Sequence, residues 1–450
     1  MPAKRNLTQG SIPKGLLAFA LPLILGNFLQ QCYNLADTWV VGRFIGEGAL
    51  AAVGSSYTLM TFLTSILLGL CMGSSVYFSI QYGRKDPDKL RNGIFQSFLL
   101  IAVLTLLLNL LVYLLLDQIL VLLQIPADVT DLTRVYLQWV FGGIAATFLY
   151  NYFANLLRAV GNSVTPLLFL GLSVVLNIGL DLLFVIRFHM GVAGVAWATI
   201  IAQAVSAVLV LAVLMRTDSC VRVELRRLRV HWDMLKKIVR VGIPAALQMA
   251  VTAFSNVFVQ SYINHFGADC MSGWTAYTKI DQLMFLPMQS LALSATTFVG
   301  QNLGAGDTPR AQQGVRRALG ISLAVTAVLM VPVLVFAPQL TAFFNRKAEV
   351  VAYGTLLLRY ISPFYLLCCI NQIYSGALRG AGNSQVPMVI MLGSFVVFRQ
   401  IYLYIVSHFI TNTLLPLAMG YPAGWLVCSA ATLLYYRRAA LGRQRLVEDN

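Results

Sequence analysis

Seventeen Asp and Glu residues are scattered over 450 positions, and Asp37, Asp181 and Asp281 fall inside long apolar runs. A carboxylate in hydrocarbon costs about 2.5–3.5 kcal/mol on insertion scales, so it is kept there for a partner or a task. Asp37 and Asp181 each stand about five residues before the outer end of their run. At 1.5 Å per residue both lie roughly 8 Å inside the outer boundary. Asp281 sits near Lys279, so a structural ion pair is an alternative reading for it.

Each acid has polar neighbours at helical spacing. Gln30, Asn34 and Asp37 fall on one stripe, as do Ser173, Asn177 and Asp181. Thr199, Gln203 and Ser206 form a third, and Thr147, Asn151 and Asn155 a fourth. Such stripes face a protein interior or a water-filled cavity. Together they outline a polar chamber in the first half of the chain. Oxygens of this kind suit a hard cation such as Na⁺. Two neighbouring carboxylates can instead share protons, because like charges disfavour double ionisation. For the single Ser, Thr and Asn residues, hydrogen bonding between helices is the plainer role.

The elements that must hold these groups are membrane helices. The chain is 58% hydrophobic and only 11% charged, against roughly 25% charged in a soluble domain. Its apolar residues gather in runs of about 20 or more, the length that spans about 30 Å of hydrocarbon. Spans are expected near 15–42, 49–81, 93–116, 133–157, 163–186 and 191–215. A second set is expected near 238–264, 271–300, 314–337, 351–378, 385–407 and 413–436. No short apolar stretch ending in a small-residue cleavage site opens the chain, so no cleaved signal peptide is expected.

The net charge of +15 suggests nucleic acid until the charges are placed. With the N-terminus inside, most Lys and Arg fall on inner-side segments, as the positive-inside rule requires. Arg134, Lys279, Arg359 and Arg399 lie in or near spans. The densest basic stretch, 216–240, holds Arg226, Arg227, Arg229, Lys236 and Lys237, and its expected neighbour is anionic lipid. No nucleic-acid partner is expected. The seven cysteines show no metal or redox spacing; Cys32, Cys71, Cys368 and Cys369 read as small apolar fillers.

Landmarks recur about 220 positions apart. Leu21-Pro22 returns as Ile243-Pro244, and Gln81 as Gln301. Leu157-Arg158-Ala159-Val160-Gly161-Asn162-Ser163 returns as Leu378-Arg379-Gly380-Ala381-Gly382-Asn383-Ser384, and Pro166 as Pro387. The ordered recurrence implies a duplicated six-helix unit. An even span count gives both copies one orientation, a parallel repeat about an axis along the membrane normal. The expected fold is therefore all-α and integral to the membrane, with about 12 transmembrane helices in two parallel six-helix lobes related by a pseudo-two-fold axis. Residues 1–215 form the first lobe, 216–240 a basic cytoplasmic linker, 241–436 the second lobe and 437–450 a cytoplasmic tail. The acids are unevenly shared: the repeat puts Val259 at the place of Asp37, Leu403 at that of Asp181 and Arg399 at that of Asn177. Span 7 keeps a neutral stripe of Thr252, Asn256 and Gln260. Arg399 reads as a gate, an ion-pair partner or a group packed on backbone carbonyls.

No G-x-x-x-x-G-K-[ST], H-E-x-x-H or G-x-S-x-G stretch occurs, so neither ATP drive nor hydrolysis has a recognisable constellation. No enzyme activity and no cofactor are expected. An ion gradient is the remaining energy source, at about 2.3 kcal/mol per charge per 100 mV.

The stretch from Pro22 through Tyr33-Asn34-Leu35-Ala36-Asp37-Thr38 to Gly42, followed by Ala49-Leu50-Ala51-Ala52-Val53-Gly54, resembles the first-helix signature of the multidrug and toxic compound extrusion (MATE) family. The paired Leu-Arg-x-x-Gly-Asn-Ser motifs resemble that family's repeated signature, and the likeness runs over essentially the whole chain. It implies a V-shaped twelve-helix exporter of drugs or metabolites exchanging cargo for Na⁺ or H⁺. Asp37, Asn177, Asp181 and Thr199 match the first-lobe cation site of the family's DinF-like branch; they would ligate Na⁺ if coupling is to sodium. Gln30 and Asn155 resemble chamber positions, and Asn34, Asn151, Gln203, Asn256, Gln260 and Arg399 are further chamber candidates. The acids that the NorM-like branch carries on spans 7 and 10 are missing here.

The expectation is a monomeric, cation-coupled antiporter of the cytoplasmic (inner) membrane of a prokaryote, with both termini cytoplasmic. It would move an amphipathic, often cationic organic molecule by alternating access. A flippase for lipid-linked precursors is the alternative; it would want a cationic cavity, whereas the interior charge here is mainly acidic.

Overall fold

The computed structural model describes residues 6–122, 129–216, 231–439 and 441. Arg226, Arg227 and Arg229 of the expected linker, and nearly all of the tail beyond Ala439, lie outside the described residues.

The chain forms two compact units. The first comprises Pro22–Ala246 and the second Leu7–Leu21 with Leu247 onward. Within the first are most of α1 (Ile12–Val40), α2 (Glu47–Arg84), α3 (Pro87–Leu114), α4 (Leu116–Leu122), α5 (Thr130–Gly142), α6 (Ile144–Ala159), α7 (Val164–Leu182), α8 (Gly191–Arg216) and the front half of α9 (Trp232–Asn264). The second continues with α10 (Ala268–Gly304), α11 (Thr308–Val335), α12 (Ala337–Phe344), α13 (Ala348–Ile361) and α14 (Tyr365–Gly380). It closes with α15 (Gln385–Met391), α16 (Arg399–Ile405), α17 (Leu414–Ala418) and α18 (Gly420–Arg438). Compactness therefore groups the residues differently from a division by span count. Ile12–Leu21 of α1 belongs to the second unit, and Trp232–Ala246 of α9 belongs to the first. The changes of unit fall at or next to Pro22 and Pro244, which each remove a helical hydrogen bond.

Among the described residues ten helices are long and apolar enough to span a membrane, and an eleventh span is α5 with α6, bent by 45°. The bend falls at Gly142 and Gly143. A Cβ on Gly143 would stand 2.1 Å from Ile200 Cγ1, so glycine lets α8 come against the break. The remaining expected span is α9, whose first turns carry Lys236, Lys237 and Arg240.

Burial is arranged for a lipid solvent. The most apolar stretch of the Pro87–Leu114 span is 22% buried, and Leu106, Leu107, Leu110, Leu111 and Leu114 are exposed on it. The corresponding window of α10 is 78% buried, though it is less apolar. Within hydrocarbon there is no hydrophobic gain in bringing leucines together, so interiors are built from small residues, hydroxyls and aromatic rings. On α2, Gly69 and Gly73 meet Ala246 and Gly242 of α9 so closely that a Cβ at Gly69 would lie 2.4 Å from the Ala246 backbone.

The duplication is written into hydrogen bonds. Ser75 Oγ donates to the Asn155 carbonyl in the first unit, and Thr296 Oγ1 donates to the Gly376 carbonyl in the second. Asp86 caps α3 by accepting from Lys89 N–H, as Asp307 caps α11 through Arg310 N–H. The repeated Leu-Arg-x-x-Gly-Asn-Ser motif is a helix stop and restart. Gly161 and Gly382 take φ of 87° and 88°, a left-handed conformation that suits glycine. The next N–H, of Asn162 or Asn383, closes back on Leu157 or Leu378 at 2.9 Å, a Schellman closure. Each Asn side chain then accepts from the N–H three residues on, Thr165 or Val386, and so starts the following helix.

Candidate functional site

Three helices of the first unit carry the site: α1 brings Tyr33 and Asp37, α7 brings Asn177 and Asp181, and α8 brings Thr199. Asp181 and Asn177 are fully buried and Asp37 is half-buried. The two carboxyl groups face each other at close range, with Tyr33 and Tyr136 beside both. Thr199 is the hub. Its Oγ1 accepts from the Tyr33 hydroxyl at 2.9 Å and from Asn177 Nδ2 at 3.5 Å, and donates to the Val195 carbonyl at 3.1 Å.

What the site lacks is donors. Asp37 Oδ1, both Asp181 carboxylate oxygens and Asn177 Oδ1 are buried without a hydrogen-bond partner. Each unsatisfied buried polar atom costs about 1–3 kcal/mol. Acceptors gathered without donors fit one class of guest, a proton or a hard cation. No group of three or more His, Cys, Asp or Glu residues with metal-site geometry exists among the described residues. The donor set of two carboxylates, an amide oxygen and a hydroxyl is that of an oxygen-liganded ion. Thr199 already uses both lone pairs, so it joins such a shell only when Tyr33 or Asn177 lets go.

Both acids are followed by an irregularity. α1 runs into a π-helical turn at Val41–Ile45, and α7 into one at Leu183–Arg187. Such turns concentrate at functional sites, because one extra residue per turn loosens the helix register.

The sequence-derived residues divide. Asp37, Asn177, Asp181 and Thr199 come together. Thr147 Oγ1 donates to Gln203 Oε1, tying α6 to α8. Asn151 and Asn155 donate to carbonyls one turn back on their own helix, Thr147 and Asn151. Gln30 is half-buried and Asn34 exposed. In the second unit Asn256 Oδ1 accepts from Arg399 Nη1 at 3.1 Å, and Gln260 is half-buried. An ion pair with Lys279 was one of two readings open for Asp281, and these two residues form none. Asp281 accepts from Tyr277 OH at 3.3 Å, one turn back, whereas the exposed Lys279, two residues away, points off the other side of α10. Tyr33 and Tyr136 were missed by reasoning from the sequence. Tyr33 stands at i−4 from Asp37, the spacing that gave Asn177 and Asp181, but a tyrosine in a membrane helix does not stand out as a polar landmark.

A duplicated bundle of spanning helices around buried, ion-ready oxygens defines a membrane transport protein, and no enzyme. The sequence profile of the MatE family matches residues 22–183 and again 244–405, more than half of the chain, so the protein belongs to the multidrug and toxic compound extrusion family. The chain is 31% identical over 432 residues to "Probable multidrug resistance protein YpnP" of Bacillus subtilis (strain 168), covering 96% of each chain. It is 28% identical to "Probable multidrug resistance protein YoeA" of the same organism, over 96% of this chain and 94% of the relative. In fold it is similar to a MATE crystal structure in the bent conformation, with a TM-score of 0.91 at 23% identity and 96% coverage of both chains.

Proposed function

We propose that this transporter is a cation-coupled antiporter that exports amphipathic, often cationic organic molecules in exchange for H⁺ or Na⁺. The observation that carries this reading is the set of donor-free oxygens on Asp37, Asn177 and Asp181 next to Thr199. Two ionised carboxylates at close range in a low-dielectric interior repel, and a shared proton or a bound Na⁺ removes the repulsion. Loading the site draws α1, α7 and α8 together; unloading it frees Tyr33 and Thr199 to regain the hydrogen bond seen here. Cargo is released outward when the ion enters from outside, and the ion leaves inward as the site resets. The relatives named for multidrug resistance support this choice of cargo. The reading places the protein as a monomer in a prokaryotic cytoplasmic membrane, termini inside, with basic inner segments against anionic lipid.

The test is transport in proteoliposomes under imposed ΔpH or ΔNa⁺, following a fluorescent cationic dye. Uphill movement that requires one gradient, and is lost in Asp37→Asn and Asp181→Asn, is expected and names the ion. Dye transport unchanged in both variants would overturn the reading, and movement of labelled lipid without any gradient would turn it toward a flippase.

A further inference from the structure

The second unit holds a charge site of its own, built on residues that the first unit's acid pair does not involve. Asp281 is the mid-span acid there; the unit's other described acids, Asp269, Asp307 and Glu349, stand in the first turns or caps of helices. Arg399 is 1% exposed. Its guanidinium lies 4.9 Å from the centroid of the Phe395 ring and 4.4 Å from that of Tyr421. Its Nη1 donates to Asn256 Oδ1 at 3.1 Å and to Ser255 Oγ at 3.5 Å, while Nε has no partner. A Cβ on Gly424 would sit at van der Waals distance, 3.4 Å, from Nε, so α18 lies directly against the guanidinium. A buried cation is thus held on π faces and neutral oxygens, where desolvation strengthens the cation–π attraction.

Asp281 is close enough to act on that cation without being paired to it. The titratable and charged groups around the carboxylate are Tyr277 on its own helix, Tyr365 and Cys368 on α14, Arg399 on α16 and Tyr421 on α18, while Cys428 of α18 lies beside Cys368 and Arg399. Asp281 is half-buried, whereas Arg399 is sealed. Directly before Arg399 runs a π-helical stretch, Leu392–Phe398. Among the described residues the other three π turns each end a span; this one lies in mid-span, and the matching stretch of the first repeat, 170–176, is ordinary α-helix. Ser255 Oγ donates to the Phe395 carbonyl at 2.5 Å, holding a backbone acceptor within that loosened stretch. The element that aims Arg399 therefore has register slack, at a place where a charge has two alternative partners.

We propose that Asp281 and Arg399 form a second, proton-responsive site in this transporter, in which the charge on Asp281 decides whether the Arg399 guanidinium rests in its aromatic cradle or turns toward the carboxylate. With a proton from water on Asp281, the cradle is the better partner and the span Gln385–Ile410 keeps the register described here. When that proton leaves to water, the ionised carboxylate attracts the guanidinium, and the π stretch supplies the rotation. The site stands independently of the proposed ion site in the first unit, and its test removes that site.

The test uses the full-length protein in nanodiscs, carrying Asp37→Asn and Asp181→Asn. Trp274 packs on Tyr277 and Tyr421, and Trp425 on Tyr365 and Tyr421, so with Trp39, Trp139, Trp197 and Trp232 replaced by Phe the tryptophan emission reports the cradle. A pH-dependent step in emission is expected. It should persist in Asp281→Glu and vanish both in Asp281→Asn and in Arg399→Gln, which lacks the guanidinium that moves. The same step in Asp281→Asn, or no step in the parent, would overturn the proposal. If Arg399→Gln does not fold, the isosteric Asp281→Asn decides alone. Loss of dye export in the parent together with a retained step would leave this site standing apart from the first unit's role.

Discussion

The acid pair makes a quantitative demand on stability. Four acceptor oxygens, Asp37 Oδ1, Asn177 Oδ1 and the two of Asp181, are buried without donors. At about 1–3 kcal/mol for each unsatisfied atom, one proton placed between the carboxyls relieves one acceptor and stabilises the first unit by about 1–3 kcal/mol. A Na⁺ ion contacting several of the oxygens relieves two or more, and stabilises by about twice that. For a unit of this size 1 kcal/mol moves a melting midpoint by about 2–4 °C, so the shift should be roughly 2–12 °C for a proton. The assay is thermal melting of purified protein followed by tryptophan emission. Proton binding predicts a midpoint that is highest on the acid side and falls as pH rises and the shared proton is lost. Na⁺ binding predicts a midpoint that climbs with NaCl at alkaline pH and stays flat with choline chloride. Asp37→Asn with Asp181→Asn replaces the repelling charges by amides, and the dependence should disappear. If that double variant kept the full shift, the orphaned oxygens would have nothing to do with ion binding.

Three further outcomes follow from the geometry. Tyr33→Phe deletes the donor to Thr199 and should lower stability by about 0.5–1.5 kcal/mol, read as a lower melting midpoint. Gly143→Ala puts a methyl group against Ile200 and should cost about 1–3 kcal/mol, with Ile200→Ala added to it recovering part of the loss in a double-mutant cycle. Gly161→Ala and Gly382→Ala force left-handed backbone onto an L-residue and should each cost about 1–2 kcal/mol, measured by melting, with Gly161→Asn milder than Gly161→Ala.

The large features were legible because membrane helices advertise themselves. A carboxylate in an apolar run has few explanations, so Asp37 and Asp181 stood out and shared depth joined them; Asn177 shares the stripe of Asp181, and Thr199 entered the set through the family resemblance. The repeated Gly161-Asn162 and Gly382-Asn383 were visible as a motif, and their backbone closure explains why they recur. Other features carry no such mark. Tyr33 and Tyr136 line the acid pair, yet a tyrosine in an apolar run reads equally as a ring facing lipid. The break at Gly142 and Gly143 lies inside a continuous hydropathic run, so one span was expected where two helices meet at an angle. An ion pair with Lys279 stayed open for Asp281 because sequence proximity is all a sequence offers. On a helix, residues two apart diverge, and the true neighbours come from α14, α16 and α18. The π turns leave no trace in composition at all.

The way α1 and α9 divide between the units bears on the ancestry of the protein. Each unit takes in the opening segment of the other repeat: Leu7–Leu21 lies with the second unit, and Trp232–Ala246 with the first. A half-length ancestor built on the same plan could complete neither copy alone. Two identical chains would have to exchange their first helical turns, as in a domain-swapped dimer, before either was whole. Fusing two such copies would turn an exchange between molecules into one within a single chain, and remove its dependence on concentration. The two halves of this transporter, cut between Arg216 and His231 and produced apart, should accordingly be incomplete singly and complete only when made together.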